Sequence, residues 1–300
     1  MKITTAAVVA RSVDGVAAVV EGTMSGGLPY LRLGQGPPLV MATGGAVEHT
    51  SPAGFARRMT LSTAAPFAAH FTVCVTSRKP GLAPGSTMAD IAADFADAIE
   101  DDIGEPVALH GTSASGAVAL QLAIGYPRLI RRLVLAAAAC RLSPSGRRLL
   151  AETARLVKAG DPRRASALVA RALAPRPLRY LAGALSWLAD SLAAGNPADM
   201  LITNAAAVAF DAGPELHRVL APTLVIGGST DPYYSKDLFR RTAAEIPGGV
   251  GKTAFYIACI IAGLEDRTRI RALLRADPHG ASLAREYLAR QTPPGVGRPA

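Results

Sequence analysis

The feature that most constrains the fold is a regular alternation of short apolar runs with stretches of helical periodicity. Between residues 71 and 139 the pattern predicts, in order, a strand at Phe71–Thr76, a helix that begins at the Thr87–Asp90 capping box, a strand at Pro106–His110, a helix at Ser115–Ile124 and a strand at Leu133–Ala139. Strands that alternate with helices in this way form a parallel sheet covered by helices. We therefore predict the α/β class, with a mostly parallel central sheet flanked by helices.

Two further strands and a helix precede this region. The apolar runs Leu28–Leu33 and Pro38–Ala42 are separated by Gly34-Gln35-Gly36-Pro37, which predicts a hairpin-like pair. A helix at Pro52–Ala69 is expected to follow the second strand. The next run, Phe71–Thr76, alternates too little for a half-exposed strand, so we expect it to be a central parallel strand.

A long helical segment interrupts the alternation. Residues 143–217 are helical in pattern almost throughout, rich in Arg, Leu and Ala, with breaks at Gly and Pro clusters. The alternation then resumes with a strand at Pro222–Gly228, a helix at Tyr234–Ile246 and a strand at Ala254–Ala262. The predicted organisation is therefore a core formed by residues 1–141 and 218–300, with a helical cap inserted at residues 142–217.

Composition excludes several classes of protein. Half of the 300 residues are apolar and only 18% are charged, which excludes a disordered chain, and 29 Gly with 22 Pro exclude a coiled coil. No apolar stretch approaches the roughly 18 residues that a membrane-spanning helix needs. The net charge of +9 is accompanied by only 5% aromatic residues and no basic stripe interleaved with aromatics. We therefore expect no nucleic-acid partner and no membrane partner.

The cysteines and the N-terminus indicate a reducing compartment. Cys74, Cys140 and Cys259 are far apart, and each lies in an apolar run. Their spacing fits no metal site and no redox motif, so we expect them to be buried as small hydrophobic residues. The N-terminal apolar stretch is interrupted by Arg11 and Asp14 and has no convincing cleavage site, which predicts a cytoplasmic protein without a signal peptide.

The most informative local motif is His110-Gly-Thr-Ser-Ala-Ser-Gly116, at a predicted junction between a strand and a helix. A nucleophile elbow has the pattern Gly-x-Ser-x-Gly, because only small residues fit around so tight a turn. Gly111 and Ser113 fit this pattern, whereas Ser115 stands in place of the second glycine. The turn would lift the Ser113 hydroxyl to the start of a helix, where the local field favours negative charge. A plain helix N-cap is the alternative interpretation.

Two other strand ends are predicted at the same edge of the sheet. The strand Pro38–Ala42 leads into Thr43-Gly44-Gly45, and the strand at residues 222–228 leads into Asp231. The amides of Ala114 and Gly45 would form an oxyanion hole for a serine nucleophile. Asp231 follows Ser113 in the chain, which agrees with the order Ser…Asp…His that accompanies a nucleophile elbow.

With this set of motifs, the chain resembles the α/β-hydrolase fold family, as a serine hydrolase with a helical cap, over about residues 28–248. The resemblance is carried by Leu28–Gly34, Gly36–Val40, the elbow motif, Leu133–Leu135 and Pro222–Pro232. It implies that Ser113 is the nucleophile, that Asp231 is the orienting acid, and that Gly45 and Ala114 supply the oxyanion amides. It also implies that no cofactor is needed.

The catalytic base departs from the family's pattern. The family's histidine usually follows the last strand, which here corresponds to the region of Cys259, where the chain has no histidine. His279 is the only histidine downstream of Asp231, and a lengthened loop would have to bring it to the site. The remaining histidines are interpreted as structural or surface imidazoles; they are His49, His70, His110 and His217.

A second motif competes with this interpretation. Gly248-Gly-Val-Gly-Lys252-Thr253 resembles the phosphate loop of Walker-type ATPases, in which backbone amides and a lysine bind phosphate. Such a loop leaves a strand and opens a helix, whereas here a predicted helix precedes it. Nucleotide binding at Gly248–Thr253 is therefore the least favoured hypothesis, after the two that are described next.

The sequence thus favours a serine hydrolase that acts on a small ester, thioester or related acyl compound. The first alternative is a non-catalytic or degenerate α/β-hydrolase-fold protein that binds a small molecule, because the late-loop histidine is missing from its usual place. The two hypotheses differ in whether any ester is turned over in a manner that depends on Ser113.

Overall fold

The computed structural model describes residues 19–44, 49–174, 176–190, 197–228, 230–247 and 250–252. Within these ranges the strands are β1 Val20–Thr23, β2 Pro29–Leu33, β3 Pro38–Ala42, β4 Thr72–Thr76, β5 Val107–Thr112, β6 Ile130–Ala136, β7 Thr223–Ile226 and β8 Val250–Lys252. The α-helices are α1 Gly54–Ala68, α2 Met88–Ala98, α3 Ala114–Gly125, α4 Pro144–Lys158, α5 Pro162–Leu173, α6 Arg179–Asp190, α7 Ala198–Ala209 and α8 Lys236–Glu245.

All of these strands belong to one sheet. Their order is β1-β2-β4-β3-β5-β6-β7-β8, and every neighbouring pair from β4 to β8 is parallel. Strand β2 pairs in the antiparallel sense with both β1 and β4. The predicted α/β class with a mostly parallel central sheet is therefore confirmed.

The predicted hairpin between the second and third strands is wrong. Strand β4 lies between β2 and β3, so that Val75 pairs with Leu31 on one side and with Met41 on the other. Four of the five residues of β4 are buried, which suits a strand that is hydrogen-bonded along both edges. Strand β1, which the sequence pattern did not indicate, forms the edge beyond β2.

Two hydrophobic clusters cover the two faces of the sheet. Successive residues of β3 alternate between them, with Leu39 in the cluster that includes α1 and Val40 in the cluster that includes α2 and α3. Helix α3 is buried at nine of its twelve positions. Because α3 follows β5 directly, this central packing fixes the start of the helix at the carboxyl edge of the sheet.

A run of four helices, α4 to α7, separates β6 from β7 and corresponds in position to the predicted insertion. Cys74 and Cys140 are buried free thiols, whereas Cys259 lies outside the described residues. The predicted strand at residues 254–262 also lies outside them, and the strand beside β7 is formed earlier, by Val250–Lys252. Among the described helices, none combines the length and the apolar character needed to cross a bilayer.

Candidate active site

Ser113 occupies a strained turn between β5 and α3. Its backbone has φ 54° and ψ −124°. This is the conformation of the second residue of a type II′ turn, a position that glycine usually occupies. The Ser113 N–H donates to the Ala136 carbonyl oxygen at 2.9 Å, so the turn is tied to the end of the neighbouring strand β6. A backbone held in this region at the start of a helix is the geometry of a nucleophile elbow.

The residues around Ser113 are small because the backbone leaves no room for larger ones. A methyl group at Gly111 would lie 2.6 Å from the Cβ of Ala119 and 2.7 Å from the carbonyl oxygen of Ser115. A methyl group at Gly116 would overlap the Cβ of Ala138 on the strand side. The close approach that the elbow pattern assigns to its second glycine is therefore made here by Gly116, one position later than the usual pattern.

The loop after β3 lies directly against this turn. A methyl group at Gly44 would be 2.5 Å from the Thr112 carbonyl oxygen and 3.2 Å from the Ser113 Cβ. Ala114 is the first residue of α3, so its N–H has no partner within the helix and lies at the positive end of the helix dipole. Gly45, the other predicted oxyanion amide, lies outside the described residues.

Asp231 follows β7 at the same edge of the sheet. Its Oδ1 accepts hydrogen bonds from the backbone N–H groups of Tyr233 at 2.8 Å and Tyr234 at 2.9 Å. Burial raises the pKa of the carboxyl group, and the two N–H bonds partly offset that rise. With both amides on Oδ1, the Asp231 side chain is held in one orientation.

The histidines differ in their surroundings. His279, the predicted base, lies outside the described residues. His70 and His217 are exposed, in agreement with their interpretation as surface imidazoles. His110 lies in β5, and burial lowers its pKa to about 4, which keeps it neutral at physiological pH. His49 is fully buried, so its interpretation as a structural imidazole agrees with its position.

A buried polar network beneath the elbow was not anticipated from the sequence. Arg78, just past the end of β4, is 2% exposed and donates to Ser115 Oγ from Nη1 at 2.8 Å and to His49 Nε2 from Nε at 3.0 Å. Ser115 Oγ in turn donates to the Thr43 carbonyl oxygen at 2.6 Å. One feature of the sequence could have indicated this network: Arg78 lies only two residues after a buried strand, at the carboxyl edge of the sheet where Ser113 and Asp231 are predicted.

A cavity of about 250 Å³ borders the loop after β3. Thr43 and Gly44 form part of its wall, and the rest mixes apolar and hydroxyl side chains, including Leu31, Thr60 and Val75. Gly44 also packs against the turn of Ser113, so the cavity adjoins the elbow through this residue, although no residue of the elbow itself lines the cavity. Among the residues the structure describes, no group of three or more His, Cys, Asp or Glu side chains is placed to hold a metal ion.

The phosphate-loop interpretation fails on backbone geometry. Val250–Lys252 forms β8, and Lys252 pairs with Ile226 in the parallel ladder. In a phosphate loop the lysine opens a helix instead. Gly248, Gly249 and Thr253 lie outside the described ranges, and the part of the motif that is described is a strand.

A parallel sheet with helices on both faces and a strained serine turn at the β5–α3 junction defines an α/β hydrolase. Comparison with known families agrees: a sequence model described as Serine aminopeptidase, S33 (Hydrolase_4) matches residues 84–259, more than half of the chain. The chain belongs to this family.

Solved structures of α/β hydrolases share the fold. The α/β-hydrolase enzyme MGS-M2 from a Medee basin deep-sea metagenome library superimposes with a TM-score of 0.66 at 13% identity, over 82% of this chain and 92% of that one. The esterase EaEST from Exiguobacterium antarcticum gives 0.64 at 17% identity, over 85% and 98%. The enol-lactonase from Burkholderia xenovorans LB400 gives 0.65 at 18% identity, over 85% and 99%. At these identities the likeness concerns the fold.

Proposed function

We propose that this protein is a serine hydrolase that cleaves a small ester, thioester or related acyl compound, with Ser113 as the nucleophile. The observation that carries the proposal is the backbone of Ser113, with φ 54° and ψ −124° at the first turn of α3. A folded protein retains such a strained conformation, at a cost of about 1–3 kcal/mol, where the surrounding structure enforces it, and such residues cluster at active sites. The solved neighbours described as an esterase and an enol-lactonase support a reaction at an acyl carbon.

In the proposed reaction, the Ser113 oxygen forms a bond to the acyl carbon while its proton passes to an imidazole. The negative charge on the former carbonyl oxygen is stabilised by the amides of Ala114 and Gly45. The leaving alcohol or thiol takes the proton from the imidazolium as its bond to carbon breaks. A water molecule then attacks the acyl-serine by the same route, which releases the carboxylic acid and regenerates Ser113.

We assign the base to His279 and the orienting acid to Asp231. His279 is the only histidine that follows Asp231 in the chain, which is the order that this fold uses. Asp231 supports the assignment because its Oδ1 is held by two backbone amides, which fixes the carboxylate for a partner on Oδ2. The Asp231 carboxylate would accept the N–H of one ring nitrogen of His279. This would hold the tautomer whose other ring nitrogen is unprotonated and faces Ser113.

The cavity beside the elbow supports a short acyl group. Its volume of about 250 Å³ is below the lower end of drug-sized ligand pockets, about 300 Å³. Its apolar side chains would contact the carbon chain of the substrate. We therefore propose short-chain acyl compounds as the substrate class, and we propose that the inserted helices α4 to α7 form the predicted cap.

The test is covalent labelling with a fluorophosphonate probe, combined with turnover of a short-chain p-nitrophenyl ester panel. We expect the wild type to be labelled and Ser113→Ala to lose both labelling and turnover. Ser62→Ala is the control and should behave as the wild type, because the Ser62 hydroxyl bonds within its own helix, α1.

His279→Ala should lower turnover by several orders of magnitude, about as much as Ser113→Ala, and exposed His217→Ala is its control. Equal labelling of the wild type and Ser113→Ala would contradict the proposal. An unlabelled, inactive wild type whose melting temperature rises with one of the esters would favour the non-catalytic binder.

A further inference from the structure

Arg78 is a buried cation with an unusual set of partners. It is 2% exposed, and within the described part of the chain its two hydrogen-bond acceptors, His49 Nε2 and Ser115 Oγ, are both uncharged. Burial lowers the pKa of the guanidinium to about 10, so it remains protonated at neutral pH. The Asp199 carboxylate, 3.9 Å from His49 Nδ1, raises the pKa of the guanidinium and offsets part of the cost of burying it. The burial remains costly because neither acceptor bonded to Arg78 is charged.

The direction of every hydrogen bond in this network is fixed by chemistry. The Arg78 guanidinium can only donate, so both His49 Nε2 and Ser115 Oγ must accept from it. The single proton of Ser115 is therefore left for the Thr43 carbonyl oxygen, at 2.6 Å. On the other side, His49 must carry its proton on Nδ1, which donates to the Lys79 carbonyl oxygen at 3.0 Å.

Ser115 consequently links two parts of the candidate site. It lies in the first turn of α3, two residues after Ser113, and its hydroxyl holds the carbonyl of Thr43. The N–H of Thr43 is held as well, because it donates to the Thr76 carbonyl oxygen at 3.0 Å. With both of its backbone polar groups bonded, Thr43 fixes the peptide that leads into Gly44, which packs against Ser113.

We propose that Ser115 and Arg78 are positioning residues for the hydrolytic site: the Ser115 hydroxyl, oriented by the Arg78 guanidinium, locks the Thr43–Gly44 segment against the turn that carries Ser113. This inference rests on the proposed function of Ser113. It explains why a serine occupies the place of the elbow's second glycine, since a glycine would have no group to bond the Thr43 carbonyl. The charge of Arg78 would also favour negative charge that develops near the start of α3.

The experiment compares Ser115→Ala, Arg78→Lys and the double variant with the wild type, using steady-state hydrolysis of the best p-nitrophenyl ester and thermal melting. Lysine keeps the charge of Arg78 but cannot reproduce its two directed N–H bonds. We expect Ser115→Ala to lower kcat about tenfold or more, with KM within about twofold, because misplaced catalytic groups affect the transition state more than substrate binding. The double variant should be no slower than the slower single variant, since the two residues act through one hydroxyl.

Thr223→Val is the matched control, because it removes a buried hydroxyl that donates to a backbone carbonyl, that of Ala221, at the start of β7 and so at the opposite edge of the sheet from Ser113. It should leave kcat and KM unchanged. The proposal is overturned if folded Ser115→Ala keeps kcat within twofold of the wild type, or if the effects of Ser115→Ala and Arg78→Lys multiply independently. Failure of the proposed function would differ from either result, because the wild type itself would then show neither turnover nor fluorophosphonate labelling.

Discussion

Replacing Ser113 by glycine should make the protein more stable than replacing it by alanine. Both changes remove the hydroxyl, and one difference between them is how easily the backbone adopts φ 54° and ψ −124°. Holding a non-glycine residue in such a region costs about 1–3 kcal/mol. Glycine avoids that cost but gains about 0.4–1 kcal/mol of extra freedom in the unfolded chain, which works against it. With the middle value of each range, the net expectation is that Ser113→Gly exceeds Ser113→Ala by about 1.3 kcal/mol in its free energy of unfolding.

The measurement is urea denaturation of the two variants at pH 7, with thermal melting as a second probe. At about 2 °C per kcal/mol for a chain of this size, the expected difference is about 2–4 °C in Tm. Ala137, with φ 50°, should gain in the same way when it becomes glycine. Ala119→Gly, in the regular part of α3, should instead lose about 1 kcal/mol or more. If Ser113→Gly and Ser113→Ala unfold at the same urea concentration, the turn is not strained and the argument for an elbow loses its main support.

Three further predictions concern residues around the site. Because the folded-state pKa of His110 is about 4 and unfolded histidine titrates near 6.5, the unfolded chain takes up the proton first, so stability should fall by about 3 kcal/mol between pH 7 and pH 4. Denaturation of His110→Gln should show a smaller fall, with His217→Gln as the control. Gly116→Ala should lower the free energy of unfolding by about 1–3 kcal/mol, because the new methyl overlaps that of Ala138, and chemical denaturation will measure it. Asp231→Ala should cost about 1–3 kcal/mol in the same assay, because it leaves two half-buried amides without an acceptor, whereas Asp231→Asn keeps an oxygen for them and should cost less.

The sequence predicted those elements whose signals are local. The capping box at Thr87 and Asp90 is present, with the Thr87 hydroxyl accepting from the Asp90 N–H and the Asp90 carboxylate accepting from the Thr87 N–H. The pairing of β2 and β3 could not be predicted in the same way, because β4, which separates them, lies about thirty residues further along the chain than β3. Turn residues between two strands indicate that the chain reverses, but they do not show which strand occupies the neighbouring position in the sheet.

The candidate site shows the same division. The turn at Ser113 was predictable because its requirement for small residues is written into consecutive positions, Gly111 to Gly116. The network of Arg78, His49 and Ser115 was not, because its members are separated by 29 and 37 positions and no pattern in the sequence relates them. In particular, the sequence shows Ser115 only as a departure from the elbow motif. Its hydrogen bonds to Arg78 and to the Thr43 carbonyl are visible only in the structure.

The position of β4 between β2 and β3 also sets the order in which this chain can assemble on the ribosome. Until residues 72–76 have emerged, β2 has only β1 beside it, and β3 has neither of its neighbours. The apolar strand β3, buried at all five positions in the native state, would therefore stay exposed while the nascent chain is extended. Such an interval favours aggregation or chaperone binding. Once β4 has emerged, it can pair with both β2 and β3, so these three strands should come together in one step after residue 76 has been synthesised.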